Sequence, residues 1–438
     1  MPGELIFTVQ PGGRLQGELR VPGDKSISHR SIMLGALARG TTRVSGFLDG
    51  ADCIATRDAF RAMGVAIDGP EQGRLTVRGM GLHGLRAPAV PLYLGNSGTS
   101  MRLLAGLLAG QRFDSVLTGD ASLSRRPMRR VTEPLGRMGA RIDTSPAGTP
   151  PLHIHGGQCL HGIDYPLPVA SAQVKSSLLL AGLYAEGETC VTEPAPTRDH
   201  TERMLRGFGY TVHSAGRRIC LQGGGELTAT DIDVPADISS AAFFLVGASI
   251  APGSELLLRH VGVNPTRTGV IDILRLMGAD IRLENEREAG GEPVADLVVR
   301  HAELRGIDIP PELVPLAIDE FPALFIAAAC ASGETRLTGA AELRVKESDR
   351  IQVMADGLRA CGIEAEPTPD GIVIQGGRLR GGEVHSHGDH RIAMSFAMAA
   401  LASDGPIVIH DCRNVDTSFP GFVDLARRAG LQVAAHAG

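Results

Sequence analysis

The stretch VPGDKSISHRSIMLGALARGTTRV (residues 21–44) reads as a polar turn, a helix of small and apolar residues, a glycine and a β-branched strand. The same order returns as LGNSGTSMRLLAGLLAGQRFDSVLTG (94–119) and PVASAQVKSSLLLAGLYAEGETCV (168–191). It returns again as VPADISSAAFFLVGASIAPGSELLL (234–258), AIDEFPALFIAAACASGETRLTG (317–339) and HGDHRIAMSFAMAALASDGPIVI (387–409). Each helix is rich in Ala, Leu and Ser and apolar on most faces, which predicts burial. Each opens on Asp, Asn or Ser, whose side chains accept from the open N–H groups of a helix start. Between the copies lie second helices with a charged face: ADCIATRDAFRAMG (51–64), TEPLGRMG (132–139), PTRTGVIDILRLMG (265–278) and SDRIQVMADGLRACG (348–362). The unit is β-α-β-α-β-β, repeated six times. An α/β fold follows, of two similar domains that each hold three units with buried parallel helices. Residues 23–234 are expected to form the first domain and 235–438 the second. Residues 1–22 supply a strand (LIFTVQPG) that pairs with the C-terminal half.

Composition narrows the function. A chain of 438 residues with 43% hydrophobic and 21% charged residues is globular and long enough for more than one core. It holds no apolar run long enough for a membrane helix, and its start lacks the pattern of a signal peptide. A net charge of −6 argues against nucleic acid as a partner. Seven cysteines without a C-x-x-C pair fit reduced thiols and a cytoplasmic location. Lysine occurs only at 25, 175 and 346 among 43 basic residues. In so arginine-rich a chain, a retained lysine suggests a place that needs a compact, titratable ammonium.

The helix starts carry the chemistry. A buried helix presents unpaired N–H groups and partial positive charge at its N-terminus, which suits phosphate and carboxylate ligands. GDKSISHR (23–30) puts Lys25, Ser26 and Arg30 there, and Asp24 between glycine and lysine excludes a Walker A loop. GNSGTSMRL (95–103) turns tightly through Asn96, Gly98 and Thr99. LTGDASLSRRPMRR (117–130) reads as a loop with four arginines, Arg126 being held extended by Pro127. SAQVKS (171–176) offers Ser171 and Gln173, and PTRDHTERM (196–204) sets Arg198 beside another helix start. In the second half, AIDEFP (317–322) holds Asp319 and Glu320 in an apolar setting, where an acid is costly unless paired or moving a proton. RVKESDR (344–350) groups Lys346, Glu347 and Arg350, and GDHRIAMSF (388–396) adds His390 and Arg391.

These motifs, in this order, resemble the 3-phosphoshikimate 1-carboxyvinyltransferase (5-enolpyruvylshikimate-3-phosphate synthase) family, second bacterial subclass, over essentially the whole chain. The resemblance implies the enolpyruvyl transferase fold, with two domains closing on the substrates, and transfer of the enolpyruvyl group of phosphoenolpyruvate to the 5-hydroxyl of shikimate 3-phosphate. It implies that Lys25, Ser26, Arg30, Ser171, Ala172, Gln173, Arg198, Asp319 and Lys346 hold shikimate 3-phosphate. Lys25, Asn96, Gly98, Arg126, Gln173, Arg350 and Arg391 would hold phosphoenolpyruvate. Lys25, Asp319 and Glu347 would be catalytic. No metal or organic cofactor is implied, and a cytoplasmic monomer is expected. One departure is Thr417 in TSFPGF (417–422), where enterobacterial and plant members carry lysine.

Two rival functions fit less well. The sister enolpyruvyl transferase that acts on UDP-N-acetylglucosamine typically has a cysteine before an Arg-Pro, and GDASLSRRP (119–127) has none. A non-enzymatic phosphate-ligand binder on the same scaffold would lack stacking residues here, with no Trp and four Tyr. GMGLHG (79–84) is not followed by the helix a dinucleotide site needs. His385, His387 and His390 lack an evident fourth ligand for a metal.

Overall fold

Thirteen consecutive residues, Ile238–Ile250, form a helix in which every side chain is buried. Such a helix has no face for solvent and must run through a core. Phe321–Ala329 is buried throughout as well, and Lys25–Leu37, Gly98–Ala109, Ala172–Gly182 and His390–Ala399 are buried except for residues near their starts. The computed structural model describes residues 4–438. Two compact units result. One comprises Gly23–Val234 with Ala289–Gly291; the other comprises the segment ending at Pro22, Pro235–Glu288 and Glu292–Gly438. Each has a hydrophobic core of its own.

The second repeat shows the plan in full. Strand Leu92–Tyr93, helix Gly98–Ala109, strand Ser115–Thr118 and helix Arg129–Arg137 lead into the strands Arg141–Asp143 and Leu152–His155. The first two strands pair in parallel and the others antiparallel. The third repeat follows the same order from Asp164–Pro166 to Arg218–Gln222. In the first and fourth repeats the leading strand comes from a distance. Ile232–Asp233, at the end of the first domain, pairs in parallel with Thr41–Ser45. Gln16–Leu19 opens the fourth sheet beside Glu255–Gly262. The sixth sheet leads with its own Gly382–His385, parallel to Ile407–His410, and takes in Leu5–Val9 as an antiparallel strand between Ile407–His410 and Val433–Ala437. The fifth sheet has three strands, and isolated bridges from Arg305 and Asp308 stand in for its missing edge.

Three local expectations need correction. Arg129 and Arg130 open the helix Arg129–Arg137 instead of lying in a loop. Pro127 ends the extended stretch, and the chain turns helical two residues later. The helix after AIDEFP begins at Phe321 with Glu320 in the capping position, and Glu320 makes no capping bond. The cysteines are not all reduced: Cys190 and Cys220 form a disulfide. They are direct partners on adjacent antiparallel strands, with Cα atoms 4.1 Å apart. Residue counting cannot see such a register match. Among the described residues, no helix is long and apolar enough to cross a membrane.

Candidate active site

In the first domain, the starts of three buried helices lie side by side. Asp24 caps the first, its Oδ1 accepting from the Ile27 N–H at 2.9 Å. The next residue, Lys25, forms an ion pair with Asp52 in the first turn of the helix Ala51–Ala62. One turn on, Arg30 is almost fully buried and spends its donors locally. It donates to the Ser26 carbonyl (2.9 Å), to Thr201 Oγ1 (2.7 Å) and to Ser176 Oγ (3.0 Å). These bonds fix the Lys25 helix against Ala172–Gly182 and the short helix His200–Gly207. Arg198 is half-buried just before that short helix.

A second knot joins the Gly98 and Ala172 helices. Arg102 Nη1 donates to Gln173 Oε1 at 2.6 Å, and Gln173 Nε2 donates to Thr99 Oγ1 at 3.0 Å. Asn96 Oδ1 accepts from Arg126 at 2.5 Å while its amide donates to Asp120 at 2.7 Å. Gly98 stands between the two arginines: a Cβ there would lie 2.9 Å from both Arg102 Nη1 and Arg126 Nη1. Ser171 caps its helix through the Val174 N–H, directly before Ala172 and Gln173. The remaining lysine of this domain, Lys175, is 1% exposed and lies 3.0 Å from Glu193 and 2.7 Å from Glu202. It is an internal ion pair that ties the helix to the strand and helix that follow it.

The second domain carries a cluster centred on Arg350, 1% exposed. Burial works against its charge, but Asp389, Glu347 and Asp319 outweigh it and keep the guanidinium ionised. Asp389 lies 2.8 Å from Arg350 Nε, Glu347 Oε2 lies 2.7 Å from Nη2, and Asp319 Oδ1 lies 3.6 Å from Nη1. Asp389 is itself fully buried; burial raises its pKa, yet the Arg350 charge brings it below the ordinary carboxylate range. It also caps the helix His390–Ala399 through the Arg391 N–H at 3.0 Å. Lys346 Nζ completes the group, 3.4 Å from Asp319. Two partly exposed carboxylates therefore share one fixed cation, with an ammonium beside them. Such a set can bind an anion and move a proton next to it.

Among the predicted residues, Lys25, Ser26 and Arg30 share one helix start, while Asn96, Gly98, Arg126 and Gln173 form the second knot. Asp319, Lys346, Glu347 and Arg350 form the cluster of the other domain. Asp52, Asp120, Arg102, Thr201 and Asp389 were not anticipated as their partners. Asp389 had a readable signal, since it occupies a capping position; the others answer to residues far away in sequence. Thr417 donates to the Asn414 carbonyl at 2.6 Å, so it serves its own turn and adds no cation. Among the described residues, the one close group of metal-type ligands is Glu188, Cys190 and Cys220, and its two sulfurs are joined to each other.

Comparison with known proteins bears on this arrangement. Residues 9–425 match the family model of EPSP synthase (3-phosphoshikimate 1-carboxyvinyltransferase). A protein of Methylococcus capsulatus named 3-phosphoshikimate 1-carboxyvinyltransferase is 73% identical over 98% of each chain. One from Alkalilimnicola ehrlichii with the same name is 73% identical over 98% of this chain and 96% of its own. The solved EPSP synthase of Acinetobacter baumannii is 62% identical, covers 99% of this chain and all of its own, and superposes with a TM-score of 0.89. The enolpyruvyl transferase NikO of Streptomyces tendae, at 18% identity and a TM-score of 0.79, shares the fold. With a family match across nearly its whole length and relatives this similar, the chain belongs to the EPSP synthase (3-phosphoshikimate 1-carboxyvinyltransferase) family.

Proposed function

We infer that this chain carries out the reaction its family is named for, transfer of the 1-carboxyvinyl group of phosphoenolpyruvate to the 5-hydroxyl of 3-phosphoshikimate with release of phosphate. The observation that carries the reading is 73% identity over 98% of the chain to a 3-phosphoshikimate 1-carboxyvinyltransferase. The chemistry asks for two anion sites and two proton-transfer groups. Lys25, Ser26, Arg30, Ser171, Ala172, Gln173, Arg198, Asp319 and Lys346 are assigned to 3-phosphoshikimate. Lys25, Asn96, Gly98, Arg126, Gln173, Arg350 and Arg391 are assigned to phosphoenolpyruvate. A cytoplasmic monomer needing no metal or organic cofactor is the form proposed.

In the addition step, the methylene carbon of phosphoenolpyruvate gains a proton while the 5-hydroxyl oxygen bonds to the neighbouring carbon and loses its own. Asp319 accepts the hydroxyl proton with Lys25 assisting, and Glu347 delivers the proton to carbon. The tetrahedral adduct then expels phosphate, and Glu347 takes a proton back from the new methyl group to restore the double bond. Lys25, Arg126, Arg350 and Arg391 balance the carboxylate and phosphate charge throughout. Glu347 is held by Arg350 at 2.7 Å. A substrate anion that engages the same guanidinium loosens that hold and leaves the carboxyl free to exchange its proton.

Phosphate release should require phosphoenolpyruvate and 3-phosphoshikimate together and should vanish when UDP-N-acetylglucosamine replaces the acceptor. Activity with the nucleotide sugar alone would overturn the assignment. Glu347→Gln keeps the size of the side chain but cannot shuttle a proton as a carboxyl does. Its turnover should fall by about a hundredfold or more. Near-normal turnover at saturating substrates would remove Glu347 from the mechanism.

A further inference from the structure

Glu320 follows Asp319 in the chain, yet the two acids serve different partners. Asp319 faces Lys346 and Arg350. Glu320, 2% exposed, accepts a hydrogen bond from Ser239 Oγ and lies 3.9 Å from both Arg267 Nη2 and Arg391 Nη1. Ser239 and Arg391 are the second residues of the helices Ile238–Ile250 and His390–Ala399, and Glu320 directly precedes Phe321–Ala329. The starts of all three buried helices of this domain thus meet at one carboxylate.

Three positive helix ends and two guanidiniums would repel one another without an anion among them. Asp237 and Asp389 cap two of these helices, and Glu320 places a further carboxylate where all three starts meet. Arg267 is locked in place, 3% exposed and bonded to Asp237 (3.1 Å) and Ser239 (2.7 Å). Arg391 is different: its side chain keeps 15% exposure, so one edge remains open to a ligand while Nη1 faces Glu320. Glu320 Oε2 accepts no hydrogen bond from the described residues. A buried acceptor left in that state is costly and gives the carboxylate spare capacity to hold a guanidinium that moves closer.

We propose that Glu320 is a positioning residue that pre-orients Arg391 for the phosphoenolpyruvate anion. The proposal rests on the reading of Arg391 as a phosphoenolpyruvate ligand. Fixing a long side chain in advance lowers the ordering cost at binding. A second effect has the opposite sign, since a carboxylate near an anion site repels the anion. The two effects predict opposite changes when the charge is removed.

Glu320→Gln keeps an oxygen for Ser239 and deletes the charge. Positioning predicts a KM for phosphoenolpyruvate raised about three- to tenfold, as for loss of one charge-assisted contact. The KM for 3-phosphoshikimate should stay within about twofold, because the perturbed arginine serves the other ligand. Ser239→Ala, which keeps the carboxylate but frees it, should give a smaller rise in the same direction and decides the matter if Glu320→Gln does not fold. Arg391→Gln alone should raise the same KM, and adding Glu320→Gln to it should raise it no further. A KM that falls or stays unchanged in Glu320→Gln overturns the proposal, and so does a full additional rise in the Arg391→Gln background. An unchanged KM in Arg391→Gln refutes the underlying ligand assignment, and the positioning role with it.

Discussion

His29 sits one residue before Arg30, fully buried, with Nδ1 2.8 Å from Thr56 Oγ1 and 3.3 Å from Ser100 Oγ. Burial first, then the charges of Lys25 and Arg30, drives its pKa well below the ordinary histidine value. The folded protein therefore keeps His29 neutral, while the unfolded chain takes up a proton as pH falls below about 6.5. Stability from this residue is complete above that pH and is lost as pH falls toward the depressed folded value. The slope is about 1.4 kcal/mol per pH unit at most. His29→Gln should be less stable than the parent at pH 8 by about 1–2 kcal/mol, having lost its hydrogen bonds. Urea denaturation at pH 8, 6 and 5 should show the gap narrowing with acidification; a constant gap would mean that His29 does not titrate on unfolding. Residues such as Lys25 and Arg30 are legible in sequence because they lie little more than one turn apart at the same helix start. Their partners Asp52 and Thr201 are not, since only the packing of separate helices brings them close. Lys175 shows the same limit: its rarity marked it, but nothing local told that Glu193 and Glu202 would enclose it.

At the scale of one element, the start of the Gly98 helix shows how a missing side chain shapes a site. A methyl group at Gly98 would meet the tips of Arg102 and Arg126 at 2.9 Å, and both tips can swing away. Gly98→Ala should therefore fold with little change in melting temperature while displacing Arg126 from Asn96. We expect the KM for phosphoenolpyruvate to rise about tenfold, equivalent to about 1.4 kcal/mol, with the KM for 3-phosphoshikimate much less affected. An unchanged KM would show that Arg126 accommodates the methyl without leaving its position. Helix starts were the most legible elements, because a cap is a bond between residues two or three apart. Five of the six buried helices are capped by an Asp or Ser side chain as their sequences suggest. Glu320 breaks the rule because its carboxylate is drawn sideways to Ser239 and two arginines instead of its own helix. That competition is tertiary, so a cap rule has no access to it.

Across the whole molecule, the sixfold repeat was legible because each copy obeys the same local chemistry. The strands that close the repeats were harder to read. Ile232–Asp233 is two residues long, and Gln16–Leu19 has only Leu19 buried, so neither carries an alternating pattern. Leu5–Val9 does carry one, with Phe7 and Val9 buried. Phe7 is registered with Ile409 on one side and Ala435 on the other, and its ring stacks on Phe422 at 6.4 Å. Phe422 in turn meets Phe419 and Phe244, the latter in the middle of the helix Ile238–Ile250. A residue near the chain start thus supports the core formed by residues after 235, while residues 23–234 pack around a different core. Phe7→Ala should cost the second domain about 3–5 kcal/mol through the cavity it leaves. Hydrogen exchange read by mass spectrometry should show faster exchange in Ile238–Ile250 and His390–Ala399, with Lys25–Leu37 and Gly98–Ala109 protected as before. Equal loss of protection in all four helices would mean that the two cores unfold as one, whatever their separation in the folded chain.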